Sequence, residues 1–110
     1  TRIALPAALS LAGGVQGQVL GIDHFGNIRT SLRADDDRFD EQGFATLEIK
    51  DWQIDRWVTA YSEAPVGTLA ALIDSCGFVE VAANQARAAA LIGCRPGDPV
   101  RVMFRHKKLP

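Results

Sequence analysis

The sequence predicts an all-β fold, a small closed or nearly closed β-barrel of about seven short strands with one short helix. Three observations carry that expectation. Apolar residues recur at a period of two over short runs, which is the signature of half-buried strands. Glycine, asparagine, aspartate and proline punctuate the runs and supply turn chemistry between them. A single alanine-rich run has the composition of a helix. Closure into a barrel removes the exposed edges that so small a sheet would otherwise present, and one helix is too few to cross over between parallel strands.

The elements follow in order. Residues 1–12, TRIALPAALSLA, contain a proline and no clean period and read as a linker or N-terminal arm, while residues 13–110 read as the barrel. Val15–Asp23 and Ile28–Leu32 are expected strands around His24, Phe25, Gly26 and Asn27, where Gly and Asn tolerate the positive φ of a tight turn. Arg33–Gly43 is rich in Asp and reads as a surface loop. Ala45–Lys50 alternates Leu47 and Ile49 with Glu48 and Lys50, and Trp52–Tyr61, rich in aromatic and β-branched residues, is expected to be a further strand. Thr68–Asp74 and Phe78–Ala82 are apolar runs meeting at Ser75, Cys76 and Gly77. Asn84 stands as an N-cap before a helix over Gln85–Ile92, which Gly93 ends in the left-handed conformation. Arg95–Pro99 is a turn, and Val100, Val102 and Phe104 alternate with Arg101, Met103 and Arg105 as the last strand.

Composition excludes several functions. The 12 basic and 13 acidic residues give a formal charge of −1, so no positive field gathers a nucleic-acid backbone or an anionic membrane. The basic cluster Arg105-His106-Lys107-Lys108 reads as a solvated end. No stretch has the length of apolar residues that crosses a bilayer, and the N-terminus shows no secretory pattern, so a soluble, cytoplasmic protein is expected. Cys76 and Cys94 are too few for a disulfide framework and are expected as free thiols. The Cys and His residues have no zinc spacing, and the run Asp35-Asp36-Asp37 with Asp40 and Glu41 departs from a calcium loop by placing Phe39 at a ligand position. Gly13, Gly14, Gly17 and Gly21 do not form a dinucleotide fingerprint. Neither His24 nor His106 is placed by sequence to activate Ser75. No self-sufficient catalytic apparatus is visible, and no metal or cofactor is expected.

What remains is a set of polar and aromatic residues at the corners of an apolar barrel. Asp23, Phe25 and Asn27 share one tight turn, Ser75 sits on a second, Asn84 heads the helix and Tyr61 closes a strand. Each has a local reading: Asp23 and Asn27 satisfy their own turn, Ser75 caps its corner, Asn84 caps the helix, and Tyr61 belongs to the core or its rim. Each also has a ligand-facing reading, and the residues alone leave both open. A stand-alone interaction module built on a β-barrel is the competing class of function.

The segments GQVLGIDHFGNIRT (Gly17–Thr30), IDSCGFVEVAAN (Ile73–Asn84) and GDPV (Gly97–Val100), in this order and spacing, resemble the C-terminal domain of the S-adenosylmethionine hydroxide adenosyltransferases and their halogenase relatives. The resemblance runs from about Gly13 to Phe104. It implies an enzyme in which hydroxide or halide attacks the 5′-carbon of S-adenosylmethionine, with the site formed between the N-terminal domain of one subunit and the C-terminal domain of its neighbour in a homotrimer. Asp23 and Ser75 would then hold the methionine part, Asn27 and Asn84 would face adenine, and Phe25 and Tyr61 would wall the base. Cys76 departs from the arginine of fluorinase-like enzymes, which favours a hydrolase, and Ser31 stands where asparagine is frequent. The resemblance makes residues 13–110 one half of a larger enzyme, the start at Thr1 fitting a chain that is processed or part of a longer one. S-adenosylmethionine and an N-terminal domain absent from this chain are the expected partners, and the chain by itself is expected to be inactive.

Overall fold

The alternation written in the sequence becomes a barrel wall in the computed structural model, which describes residues 9–34 and 45–104. The strands are β1 (Leu9–Leu11), β2 (Gly14–Ile22), β3 (Ile28–Arg33), β4 (Ala45–Ile49), β5 (Trp52–Ile54), β6 (Leu69–Ile73), β7 (Phe78–Ala83) and β8 (Pro99–Phe104). One α-helix, α1 (Ala88–Ile92), and a 3-10 turn, Tyr61–Glu63, accompany them among the described residues. The strand order is β5-β4-β8-β2-β3-β7-β6, with β1 paired to β2 off that path, and every named pair is antiparallel. Past β5, Val58 donates its amide to Ala71 O at 2.9 Å and Ala71 donates to Arg56 O at 2.8 Å. This short parallel bridge at Trp57 joins the two ends of the strand order. The expected, nearly closed all-β barrel is the fold observed.

Inward-facing residues of every wall strand meet in one core. Leu47 and Ile49 from β4, Val100 and Val102 from β8, Val19 from β2, Ile28 and Leu32 from β3, and Val79 and Val81 from β7 are buried. Helix α1 adds Ala88 and Ile92. A polar group also lies inside: Thr30 is buried, and its hydroxyl donates to Val79 O at 2.6 Å and accepts from Leu32 N at 3.2 Å. Those two bonds serve backbone groups left by an irregularity in the β3–β7 ladder, where Arg29 pairs Glu80 but the next partners are Arg33 and Phe78. Ser31, also buried, accepts Gln18 N at 3.0 Å. Gly17 packs against it so closely that a Cβ there would lie 2.5 Å from Ser31 Oγ.

Three expectations are corrected. Leu9–Leu11, in the stretch read as an arm, forms a strand that turns back onto β2 through Ala12 and Gly13. The strand expected over Trp52–Tyr61 stops at Ile54, and Tyr61 opens the 3-10 turn rather than closing a strand. The half-buried Trp57 donates its indole N–H to Ala45 O at 2.8 Å. That bond and the bridge to Ala71 carry the chain from β4 across to β6, which a continuous β5 would prevent. The helix expected over Gln85–Ile92 is α1 alone, its N-cap position is held by Arg87 without a side-chain cap, and Asn84 does not cap it. Gln85 adopts φ 55° and Ala86 bridges back to Ala83, so a tight turn at the end of β7 takes the residues that alanine-rich composition assigns to helix. Gly93 ends the helix at φ 78°, as expected.

Most of the arm, residues 35–44 of the Asp-rich loop and the Arg105–Lys108 cluster lie outside the described residues. No helix among the described residues is long and apolar enough to cross a membrane.

Thr30→Val keeps the side-chain volume but removes the acceptor for Leu32 N and the donor to Val79 O. Leaving buried backbone groups unpaired costs about 1–3 kcal/mol, and urea unfolding is expected to show a loss in that range. A change below about 0.5 kcal/mol, the size of an ordinary surface substitution, would show that the hydroxyl is not needed there.

Candidate functional site

The β2–β3 corner is built by a carboxylate. Asp23 Oδ1 accepts the backbone N–H of Phe25 and of Asn27, each at 2.9 Å. Asp23 N donates to Asn27 O at 3.0 Å, Gly26 N donates to Asp23 O at 3.0 Å, and Gly26 takes φ 84°, a conformation open to glycine. The β6–β7 corner repeats this construction. Asp74 Oδ1 accepts Cys76 N at 2.8 Å and Phe78 N at 3.0 Å, Gly77 N donates to Asp74 O at 3.0 Å, and Gly77 takes φ 89°. The spacing Asp-x-x-Gly-x therefore shapes both corners, because the carboxylate stands in for a turn carbonyl and the glycine supplies the left-handed residue.

Each corner lifts two side chains into solvent, His24 and Phe25 on the first and Ser75 and Cys76 on the second. Phe25 is 71% exposed, and the His24 ring meets it edge-on with centroids 5.4 Å apart. Phe25 and Asn27 stand on one side of an open cavity of about 590 Å³, within the usual size of small-molecule sites. Tyr61 lines it too, with Ala83, Gln85, Ala86 and Arg87 at the end of β7 and the approach to α1. The Asn27 backbone N–H is engaged by Asp23, whereas the side-chain amides of Asn27 and Gln85 make no hydrogen bond among the described residues.

Tyr61 is held there by its own turn. The Glu63 carboxylate accepts Thr59 N at 2.7 Å, Thr59 Oγ1 at 3.0 Å and Ala60 N at 3.3 Å. The Thr59 amide first, then its hydroxyl and the Ala60 amide, hold the Glu63 pKa below its ordinary value of 4.5. Asn84 fixes the following residues, its side-chain amide donating to Ala64 O at 2.8 Å while its backbone carbonyl accepts Gly67 N at 2.7 Å.

Of the residues singled out from sequence, Phe25, Asn27 and Tyr61 come together around one cavity. Asp23 supports that wall from behind through its turn, and its Oδ2 has no hydrogen bond among the described residues. Asn84 borders the cavity through its neighbours but uses its amide on the Tyr61 loop. Ser75 lies on the second corner, where the Asp74 carboxylate, and not the serine hydroxyl, completes the turn. Between the corners, on the face of β7 turned away from the core, stands Glu80. Burial first, then repulsion from Asp23 and Asp74, raises its pKa against the opposing pull of Arg29.

The third motif is structural. Asp98 Oδ2 accepts Arg95 N at 2.8 Å and pairs with Lys50 Nζ at 3.3 Å, while its backbone carbonyl accepts Val19 N. His24, Gln85 and Arg87 line the cavity without having been singled out. Placing Gln85 and Arg87 in a regular helix hid them, and only the spacing between Asn84 and the alanine run hinted at a turn. No group of His, Cys, Asp and Glu among the described residues is arranged to hold a metal ion.

Fold and cavity together define an antiparallel barrel with an open, ligand-sized cleft beside one hairpin corner. Residues 17–101 match the family model described as the SAM hydroxide adenosyltransferase C-terminal domain, and the chain belongs to that family. It is 35% identical over 96 residues to the (R)-S-adenosyl-L-methionine hydrolase of Thermus thermophilus, covering 86% of this chain and 34% of that protein. It is 35% identical over 101 residues to the enzyme of the same name from Salinispora tropica, covering 92% and 37%. The chain thus spans about a third of the length of these curated relatives. Among solved structures, a conserved hypothetical protein of Thermus thermophilus superposes with a TM-score of 0.71 at 32% identity, over 94% of this chain and 39% of that one. A conserved protein of Thermotoga maritima gives 0.73 at 22% identity, over 92% and 40%, and supports the fold alone.

A lowered folded-state pKa means that the Glu63 contribution to the Tyr61 turn is present above pH 4.5 and is lost as the pH falls through the folded value. On acidification below that point the Thr59 amide resonance is expected to move as its carboxylate partner is protonated, followed by the Tyr61 ring signals. Glu63→Gln should abolish that titration step, and persistence of the step in the variant would assign it to another group.

Proposed function

We propose that this chain is the C-terminal half-site of an S-adenosylmethionine hydrolase and binds the adenine and methionine parts of S-adenosylmethionine, the whole enzyme releasing adenosine and methionine. The observation that carries the reading is a cavity between two aromatic side chains and two unengaged amides, in a chain whose family and relatives are named for this reaction. Adenine offers a flat face and an edge of donors and acceptors. Phe25 and Tyr61 provide stacking surfaces, worth about 1–3 kcal/mol per base in nucleic-acid complexes. Asn27 and Gln85 each offer a donor and an acceptor to the edge. Asn84 keeps the Tyr61 loop beside them. On the methionine side, the unengaged oxygen of Asp23 meets the ammonium and the Ser75 hydroxyl meets the carboxylate.

The substrate carries its own leaving group. Water oxygen forms a bond to the 5′-carbon, the carbon–sulfur bond breaks, and sulfur takes the electron pair to leave as the neutral thioether of methionine. The excess proton on the new hydroxyl passes to a base or to solvent. No cofactor is needed for that displacement. The described residues of this chain bind and orient; His24 lines the cavity, and no hydrogen bond among the described residues orients its imidazole as a base. The attacking water is positioned by an N-terminal domain, in a homotrimeric cytoplasmic enzyme whose sites lie between subunits.

Purified full-length protein incubated with S-adenosylmethionine in oxygen-labelled water is expected to yield methionine and adenosine labelled at the 5′-oxygen, whereas this chain alone yields no adenosine above a heat-treated control. Turnover by the isolated chain would overturn the half-site reading, and unlabelled or halogenated product from the whole enzyme would overturn hydrolysis. Asp23→Asn retains the turn acceptor but removes the charge, so it separates the two roles of Asp23. A hydrogen bond to a charged group contributes about 1.5–3 kcal/mol, so calorimetry should show S-adenosylmethionine binding weakened about tenfold or more, with adenosine binding unchanged. Equal affinity for S-adenosylmethionine would place the ammonium elsewhere.

A further inference from the structure

The Asp23 carboxylate fixes the internal shape of the β2–β3 turn, but it does not fix where that turn stands relative to the opposite side of the cavity. Beyond the β3–β7 pairing, which reaches Ile28 and Val81, three contacts do, and all come from residues 87–89. Arg87 Nη1 donates to His24 O at 3.0 Å, the carbonyl directly before Phe25. Ala89 N donates to Gly26 O at 2.9 Å. The aliphatic stem of Arg87 lies flat on Gly26, so close that a Cβ on the glycine would fall 2.6 Å from Arg87 Cβ and 2.9 Å from Cγ. Arg87 therefore touches the turn on both sides of Phe25, while Ala88, buried in the core, anchors the start of α1.

We propose that Arg87 is a positioning residue: it latches the Asp23–Asn27 turn onto the start of α1 and thereby sets where Phe25 and Asn27 stand across from Tyr61 and Gln85. The inference rests on reading this cavity as the adenine site. Arg87 acts through the His24 carbonyl and the Gly26 backbone, so its influence falls on the adenine half of the ligand and not on the methionine half. Lysine shares the apolar stem and carries a donor, and methionine shares the stem without the donor, so the two substitutions separate the hydrogen bond from the packing.

In the full-length enzyme, Arg87→Met is expected to raise the adenosine dissociation constant and the KM for S-adenosylmethionine by about two- to tenfold, the range a net hydrogen bond of ordinary strength gives. Methionine affinity and kcat should stay at wild-type values, since the lost interaction serves ground state and transition state alike. Arg87→Lys should recover most of the loss. A purely structural role would instead lower kcat with the folded fraction and leave KM alone. Wild-type adenosine affinity in Arg87→Met overturns the proposal, and so does an Arg87→Lys variant as weak as Arg87→Met, which would mean that the guanidinium meets the ligand itself. Failure of the functional reading shows separately, in a wild type that binds no adenosine. The latch is then read from amide hydrogen exchange at Phe25 and Ala89, which Arg87→Met accelerates if the latch exists and leaves unchanged if it does not.

Discussion

The long strand β2 is the member on which the rest of the fold depends, because it is hydrogen-bonded to both halves of the barrel. From Gly14 to Gln18 it pairs with β8, and from Val19 to Ile22 with β3. The change of partner coincides with an irregular register between Val19 and Gly21, where a sheet is able to bend and twist more sharply. Gly17 lies just before it and lets β2 press on Ser31 and Leu32. The turn before β8 clips the same place, with Gly97 N bonded to Val19 O and Val19 N to Asp98 O. The bend therefore separates the part of β2 held by β8 from the part that leads into the Asp23 corner, whose His24, Phe25 and Asn27 line the cavity.

Two corners with one internal geometry serve different ends of the sheet face that β2, β3, β7 and β6 share. In each, an aspartate takes two backbone N–H groups and a glycine takes the left-handed residue, so the turn is completed without the two side chains between them. The scaffold is constant and the presented residues differ: an imidazole and a phenyl ring on one, a hydroxyl and a thiol on the other. Glu80 lies on the same face between them, its pKa raised by burial first and then by the negative charge of Asp23 and Asp74. A cationic ligand lying along this face would be met by that charge, and a flat neutral one by the cavity beside the first corner.

Opposite the corner, the cavity is completed by irregular backbone. The Tyr61 turn and residues 83–87 are joined by Asn84, whose side-chain amide reaches Ala64 and whose backbone carbonyl holds Gly67. Such segments are placed by contacts made across the molecule, which is why the parts of the site carried on hairpin corners are better defined by local sequence than the parts carried on this side.

That difference marks the boundary between what the sequence determined alone and what tertiary structure decided. Period-two alternation in Ala45–Ile49 and Pro99–Phe104, and Asp-x-x-Gly spacing at 23–27 and 74–78, are local signals, and the strands, the corners and the barrel follow from them. Phe25 and Asn27 were legible as residues presented by a corner, and they line the cavity, because the turn that presents them is written within five consecutive positions. The end of β5 was not legible, because the indole of Trp57 reaches a carbonyl twelve residues away. Nor was the late start of α1: alanine propensity favours helix from Gln85, and only the bridge from Ala86 to Ala83 and the docking of residues 87–89 on Gly26 oppose it. Gln85 and Arg87 belong to the cavity for that reason alone. Local propensity differences amount to tenths of a kcal/mol per residue, whereas the contacts that outweigh them exist only once the barrel has closed.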